Sequence, residues 1–192
     1  MKNSIKIAAL LVAIMGSSLA SKAQSNKTGN ANGVILNVAA ESGISLGDAR
    51  DLHKWGLGGS IGIDIPVANQ LFATANAGYQ NNFGIKNVAG TGLTATNDHL
   101  LPVKAGLKYF PVSILYIQGE AGAIFSLNKD DAGYAKNTAF LYTPTIGVQL
   151  PLSRSSYLDA GIQYKGSTKF NNYDNSRENM LGLHVAYAFS VK

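Results

Sequence analysis

The sequence predicts an all-β protein: an eight-stranded antiparallel, up-and-down transmembrane β-barrel with short turns at one end and longer loops at the other. Three observations predict it. The chain opens with an export signal, apolar residues then recur with a period of two in eight separate runs, and the connections between runs alternate in length. A period of two is the strand signal. Runs such as Trp55 to Ile65 have the roughly 9–11 residues that a tilted strand needs to cross a bilayer. Short turns alternating with long loops complete the pattern of a membrane barrel.

The export signal occupies residues 1–23. Lys2 and Lys6 give a positive start, and Ile7 to Met15 form an apolar stretch too short to span a membrane. Ser21-Lys22-Ala23 offers small residues for cleavage before Gln24. The apolar stretch has no Cys after it, so a lipid-anchored lipoprotein is excluded. Residues 24–32 read as a polar, disordered periplasmic leader, and 33–192 as the barrel domain. Three of the sixteen basic residues leave with the signal and none of the eleven acidic ones does, so the net charge falls from +5 to +2. That removes the main argument for a nucleic-acid partner. With no cysteine, disulfides and thiolate-based zinc or nucleophile sites are impossible.

The first strand, from about Val34 to Leu46, sets Val34, Leu36, Val38, Ala40 and Ile44 against Asn37, Glu41 and Gly43. The second has the sharpest alternation: Trp55, Leu57, Gly59, Ile61, Ile63 and Ile65 against Gly56, Gly58, Ser60, Gly62 and Asp64. The third opposes Leu71, Ala73, Ala75, Ala77 and Tyr79 to Phe72, Thr74, Asn76 and Gln80; the fourth opposes Leu101, Val103, Ala105, Leu107 and Tyr109 to Lys104, Gly106 and Lys108. In the fifth, Leu115, Ile117, Ala121, Ala123, Phe125 and Leu127 face away from Gln118, Glu120, Gly122 and Ser126. The sixth places Phe140, Tyr142, Pro144, Ile146, Val148 and Leu150 opposite Thr143, Thr145, Gly147 and Gln149. The seventh is the weakest, with Leu158, Ala160, Ile162 and Tyr164 against Tyr157, Asp159, Gly161 and Gln163. The eighth alternates strictly from Leu181 to Val191. Short connections lie at Pro66 to Gln70, Pro111 to Ser113 and Pro151 to Ser156; long polar ones lie at Gly47 to Lys54, Asn81 to Asp98, Asn128 to Ala139 and Gly166 to Asn179. No segment after the signal reads as a helix.

Alternation alone does not say which face is outside. A soluble ligand-carrying barrel would turn the apolar set inward. Three features favour the inverted arrangement. The polar set is rich in Gly, Ser, Thr, Asn and Gln, and only 14% of the chain is charged, against the roughly 25–35% usual on a soluble surface. Aromatic residues gather at strand ends on the apolar face, as interfacial girdles do: Trp55, Tyr79, Phe125, Phe140, Tyr142 and Tyr164 beside the long loops, Tyr109, Tyr187 and Phe189 at the other rim. The strands also have crossing length. In hydrocarbon every backbone N–H and C=O must be paired within the protein, so the first and eighth strands must zip together. An even strand count leaves both termini on the short-turn side, in the periplasm.

The inward set then contains Glu41, Asp64, Lys104, Lys108, Glu120, Asp159 and His184. A turn centred on Val112 places Lys104 opposite Glu120 and Lys108 opposite Tyr116. These charges either neutralise one another in a plugged polar core, where a hydrogen-bonded pair is tolerable, or form a narrow proton or ion path gated by the Lys104–Glu120 pair. A hydrolase would need a Ser, a His and an orienting acid. The three His are His53 in the first long loop, His99 beside Asp98, and the inward His184; Ser42 or Ser45 could serve His53, with Asp48 or Asp51 orienting it. Asp130-Asp131 and the Asn171, Asn172, Asp174, Asn175 cluster could offer oxygens to calcium, without the spacing of a defined calcium loop. The glycines at 56, 58, 59 and 62 lie on a strand and make no phosphate cradle; they relieve crowding and permit curvature. No catalytic, cofactor-binding or metal-binding residue is assigned, and no cofactor is expected.

The Ala23-Gln24 cleavage region, the strand and turn from Leu101 to Val112 (LPVKAGLKYFPV) and the closing LGLHVAYAFSVK resemble the outer-membrane protein β-barrel domain family. That family includes a PorT-like group; more distantly, the chain resembles OmpX-like and OmpA-like eight-stranded barrels. The likeness covers nearly the whole exported chain. The last strand is similar to a barrel-assembly signal, departing from its commonest form in that Val191 and Lys192 follow Phe189. The resemblance implies an outer-membrane location, contact with outer-membrane lipids, and engagement of the barrel-assembly machinery during insertion. The expectation is a monomeric, non-enzymatic barrel acting through its extracellular loops. Its alternatives are an accessory to protein secretion or surface transport, implied by PorT-like members, with a partner on a loop or turn; a small pore; and a lipid-modifying enzyme.

Overall fold

A computed structural model describes residues 33–86, 88, 92, 94–171 and 177–191; the export signal and leader lie outside the described residues. Eight strands follow one another: β1 (Val34–Ser45), β2 (His53–Ala68), β3 (Leu71–Gly84), β4 (Asp98–Tyr109), β5 (Leu115–Ser126), β6 (Thr138–Pro151), β7 (Ser156–Ser167) and β8 (Asn179–Val191). Each pairs antiparallel with its sequence neighbours, and β1 closes on β8 in unbroken register from Val34↔Val191 to Ser45↔Met180. Closure satisfies the two edges that hydrocarbon would not tolerate. All eight expected strands form, most of them extending a few residues beyond the alternating core. The connection between β1 and β2 adds one short 3-10 turn, Gly47–Asp51, too brief to carry a helical period.

The alternation resolves in the membrane sense. Val38, Leu57, Ile61, Leu107, Ile146, Leu183 and Val185 are exposed on the outer surface, Ile61 at 65%. Glu41, Asp64, Lys104, Lys108, Glu120 and Asp159 are buried along the axis. The barrel is therefore apolar where lipid touches it and polar within, the reverse of a soluble carrier.

Two features shape the wall. The β3–β4 ladder stops at Ala77↔Val103 and resumes at Gln80↔Leu100, and Pro102 sits in the gap. The β6–β7 ladder breaks likewise between Tyr142↔Gly166 and Thr145↔Gln163, beside Pro144. A proline has no N–H to give a ladder, so each break falls where the chain cannot donate. Between β4 and β5 the backbones approach closely: a Cβ on Gly106 would lie 1.9 Å from the Gly119 carbonyl oxygen, and one on Gly122 would lie 2.1 Å from that of Val103.

The β4–β5 register differs from the expected one. Lys104 pairs with Gly122, Glu120 with Gly106 and Lys108 with Gln118, so the turn is centred on Ser113. Phe110 is drawn out of the turn into the lumen, its N–H bonded to the Gln70 carbonyl (2.9 Å), while the Ile114 carbonyl accepts from Gln149 N–H (2.7 Å). Those bonds, one to the β2–β3 turn and one to β6, hold the bend one residue beyond the expected centre.

Candidate functional site: the barrel lumen and its surface cap

From the periplasmic end upward, the lumen has three layers. The first is an apolar plug of Ile35, Phe72, Phe110, Tyr116, Tyr157 and Ala188. Phe110 meets Phe72 edge-on at 5.6 Å and Tyr116 at 5.8 Å.

The second layer is charged. Lys108 Nζ lies 2.6 Å from Asp159 and 3.3 Å from Asp64, and 4.2 Å from the Tyr116 ring centre. The Tyr116 hydroxyl donates to the other Asp159 oxygen at 2.5 Å. Lys104 Nζ reaches Glu120 at 2.9 Å, and Thr74 donates to the free Glu120 oxygen. The expected Lys104–Glu120 pair thus forms, but along the diagonal, a reach long side chains manage across adjacent strands. Lys108 likewise meets the Tyr116 ring without standing opposite it. Higher up, Lys165 Nζ lies 2.6 Å from both Glu41 and the Gln80 side-chain oxygen. Glu41 also accepts from Ser60 and Gln163. His184 stands between the two groups, Nδ1 3.5 Å from Glu41 and Nε2 4.0 Å from Asp159.

Lys165 and Glu178 were not in the expected inward set. Lys165 was legible: it continues the alternation of Tyr157, Asp159, Gly161 and Gln163 by one step. Glu178 carries no period, because it precedes β8. It dips from the last loop into the lumen, taking hydrogen bonds from Gln80 (2.7 Å) and Asn82 (2.9 Å) of β3. Burial holds its carboxyl above the usual carboxylate range, against the pull of Lys165 and the two amide donors.

The third layer is a cap of Leu100, Ile124, Ala139, Leu141 and Phe170, with Tyr134 stacked on Phe170 at 4.7 Å. Tyr134 donates to Asp98 at 2.6 Å; burial, then that carboxylate, pushes its phenol above the ordinary tyrosine range. The long loops are tied together above this layer. Leu46 N–H bonds Asn179, Ile85 N–H bonds Leu52, Leu127 N–H bonds His99, and Lys136 N–H bonds Phe170. Among the described residues, a cavity of about 10 Å³ lies beside Glu41, Gln80 and Lys165, and another of about 10 Å³ beside Asn76, Lys104, Glu120 and His184. Each has room for about one water molecule.

The hydrolytic constellation does not assemble. His53 Nε2 donates to the Thr96 carbonyl at 3.0 Å, Ser42 faces lipid and Ser45 is buried in the lumen. His99 Nδ1 pairs with the Tyr79 hydroxyl at 2.6 Å on the outer surface. Among the described residues no three His, Asp or Glu converge as metal ligands. Asp130 is a solvated turn residue, 90% exposed in its side chain. Asn171 braces the third loop by donating to the Gly133 carbonyl, while Asn172, Asp174 and Asn175 lie outside the described residues.

A closed antiparallel barrel with a lipid-facing apolar belt, aromatic rims and a polar, packed axis defines an integral outer-membrane β-barrel protein. The match of residues 9–189 to the outer membrane protein beta-barrel domain family agrees, and the chain belongs to that family. Its location is the outer membrane. Similar solved structures are Neisserial surface protein A (15% identity, TM-score 0.54, covering 82% of this chain and 96% of that one) and OprG from Pseudomonas aeruginosa (10%, 0.53, 86% and 100%). Ail of Yersinia pestis in a phospholipid nanodisc is also similar (16%, 0.52, 82% and 100%). At these identities the likeness concerns the fold. No curated protein matches the chain in sequence.

Proposed function

We propose that this protein is a solitary, non-enzymatic barrel that works as a surface scaffold, presenting its interlocked extracellular loops to partners outside the cell. The observation that carries the reading is the filled axis. The charged middle is internally paired, an apolar layer closes each end, and the two cavities beside the charged groups are water-sized. An eight-stranded barrel is only just wide enough for its own side chains, and these side chains use that width. The loops bonded to one another above the cap form a braced surface, which lowers the ordering cost of binding.

The test has two arms. Purified protein reconstituted in planar bilayers is expected to show no conductance steps. Cells carrying the protein with a photo-crosslinker at exposed Lys136 or Asp131 are expected to yield an adduct with an extracellular or surface molecule. Steady conductance would overturn the closed-scaffold reading. Crosslinks found only from the periplasmic turns, at Val112 for example, would favour the secretion-accessory role instead.

A further inference from the structure

The two ends of the barrel differ in what they expose. The long loops carry exposed charges of both signs, Asp48, Arg50, Lys86, Asp130, Asp131 and Lys136 among them. Among the described residues of the three short turns, Arg154 is the one charge. Each of these turns opens instead with proline and an aliphatic residue: Pro66-Val67, Pro111-Val112 and Pro151-Leu152. Val67 is 56% exposed, Val112 53% and Ile114 41%. Turn geometry calls for Gly, Pro, Asn, Asp or Ser and not for Val or Ile. Left in water, such side chains forgo the gain that burial gives them.

This apolar surface continues the lipid-facing belt. Val67 is the next outward position of β2 after Ile61, Ile63 and Ile65, in the row that begins at Trp55. Val112 and Ile114 lie between Tyr109 and Ile117, the outward residues that end β4 and begin β5. With a rise of about 3.3 Å per residue and a tilt of about 40°, Trp55 to Ile65 covers about 25 Å, the height of an outer-membrane belt. Val67 then lies about 5 Å beyond the belt, within a head-group layer about 5–7 Å thick.

The backbone suits that depth. Proline has no N–H to desolvate. Phe110 N–H bonds the Gln70 carbonyl of the adjacent turn, the Ile114 carbonyl accepts from Gln149 N–H, and Ser190 N–H bonds the Ser155 carbonyl at 2.7 Å. Pairing within the protein is what a segment beside hydrocarbon needs.

We infer that the short turns are seated in the inner leaflet of the outer membrane, with Val67, Val112 and Ile114 at the boundary between head groups and acyl chains. The partner at this end is a phospholipid surface and not a periplasmic protein. Arg154 extends from its turn toward lipid phosphate, its stem lying along the apolar boundary. The seating is independent of what the loops bind.

A chain without cysteine allows a direct test. Val67→Cys, Val112→Cys and Ile114→Cys, each in the full exported chain, are given a nitroxide spin label and folded into phospholipid vesicles. Ile61→Cys on the belt and Asp131→Cys on a loop serve as references, and heat-modified gel mobility confirms that each variant is folded. Collisions with oxygen, relative to those with a water-soluble nickel chelate, are expected at the turn positions to be at least about fivefold more frequent than at Asp131, because the apolar gas concentrates in lipid. Turn labels as open to the chelate as the one at Asp131 would overturn the inference. In cells, after new synthesis is blocked, a photo-crosslinker at Val67 or Val112 is expected to give no protein adduct. A discrete adduct with a periplasmic protein would also overturn the inference and give the surface to that partner.

Discussion

Replacing Lys108 by methionine removes one cation from between two carboxylates. Its ammonium is 2.6 Å from Asp159 and 3.3 Å from Asp64, and all three side chains are buried. At an effective dielectric of about 20, those contacts represent roughly 6 and 5 kcal/mol of gross attraction, most of which offsets the desolvation of the charges. The net loss is set by what remains: two buried carboxylates facing each other, with Tyr116 still donating to one of them. Breaking a buried pair in this way costs about 3–5 kcal/mol. Methionine nearly conserves the volume of the stem against the Tyr116 ring, so the loss reports charge and not a cavity.

The single tryptophan, Trp55, sits on the lipid face against Phe83 and reports folding by fluorescence. In urea titrations of protein in vesicles, a slope of about 2 kcal/mol per molar implies a midpoint lower by about 2 M. Adding Asp64→Asn and Asp159→Asn is expected to restore most of that, since amides can share hydrogen bonds where two carboxylates repel. A midpoint unmoved by Lys108→Met would refute the reasoning. A triple variant less stable than the single one would refute it as well, by showing that the carboxylates have other compensation.

The Lys104–Glu120 pair makes a parallel case: Lys104→Met alone is expected to lose about 3–5 kcal/mol, and Lys104→Met with Glu120→Gln about 1 kcal/mol or less, read from the urea midpoint of the folded gel band. Gly106→Ala should nearly abolish the folded band after refolding, because its Cβ would meet the Gly119 carbonyl oxygen at 1.9 Å and neither backbone can yield without parting β4 from β5. Tyr134 is expected to titrate later than exposed tyrosines when absorbance at 295 nm is followed with rising pH. Since its folded pKa is raised, its contribution to the cap is complete below about pH 10, the unfolded tyrosine value, and is lost as pH rises through the folded one. Tyr134→Phe should reduce the late-titrating absorbance by one tyrosine while the remaining tyrosines titrate as before. Phe170→Ala is expected to cost about 3–5 kcal/mol as a cavity in the cap, measured by urea unfolding, since Phe170 is 1% exposed.

Strands were readable and side-chain partners only partly so, and the difference is physical. A lipid-facing belt forces strict alternation, so Trp55–Ile65 or Leu181–Val191 declares both its structure and its outward face. The lumen imposes no such pattern. It is filled by whatever reaches across it, and reach depends on register, which a turn can move by one residue. Phe110 illustrates the point: it reads as a turn residue beside Pro111, yet it packs inside between Phe72 and Tyr116 and shifts β5 past β4. The Lys104–Glu120 contact survives that shift because long side chains bridge a diagonal; a pair of Ser or Asp residues would not have. Glu178 shows the remaining gap. It is fixed by amides on β3, 98 and 96 residues away in sequence, and no local pattern encodes so distant a bond. The loop it belongs to is thereby pinned into the barrel, so the loop surface offered to the outside is set from within by Gln80 and Asn82.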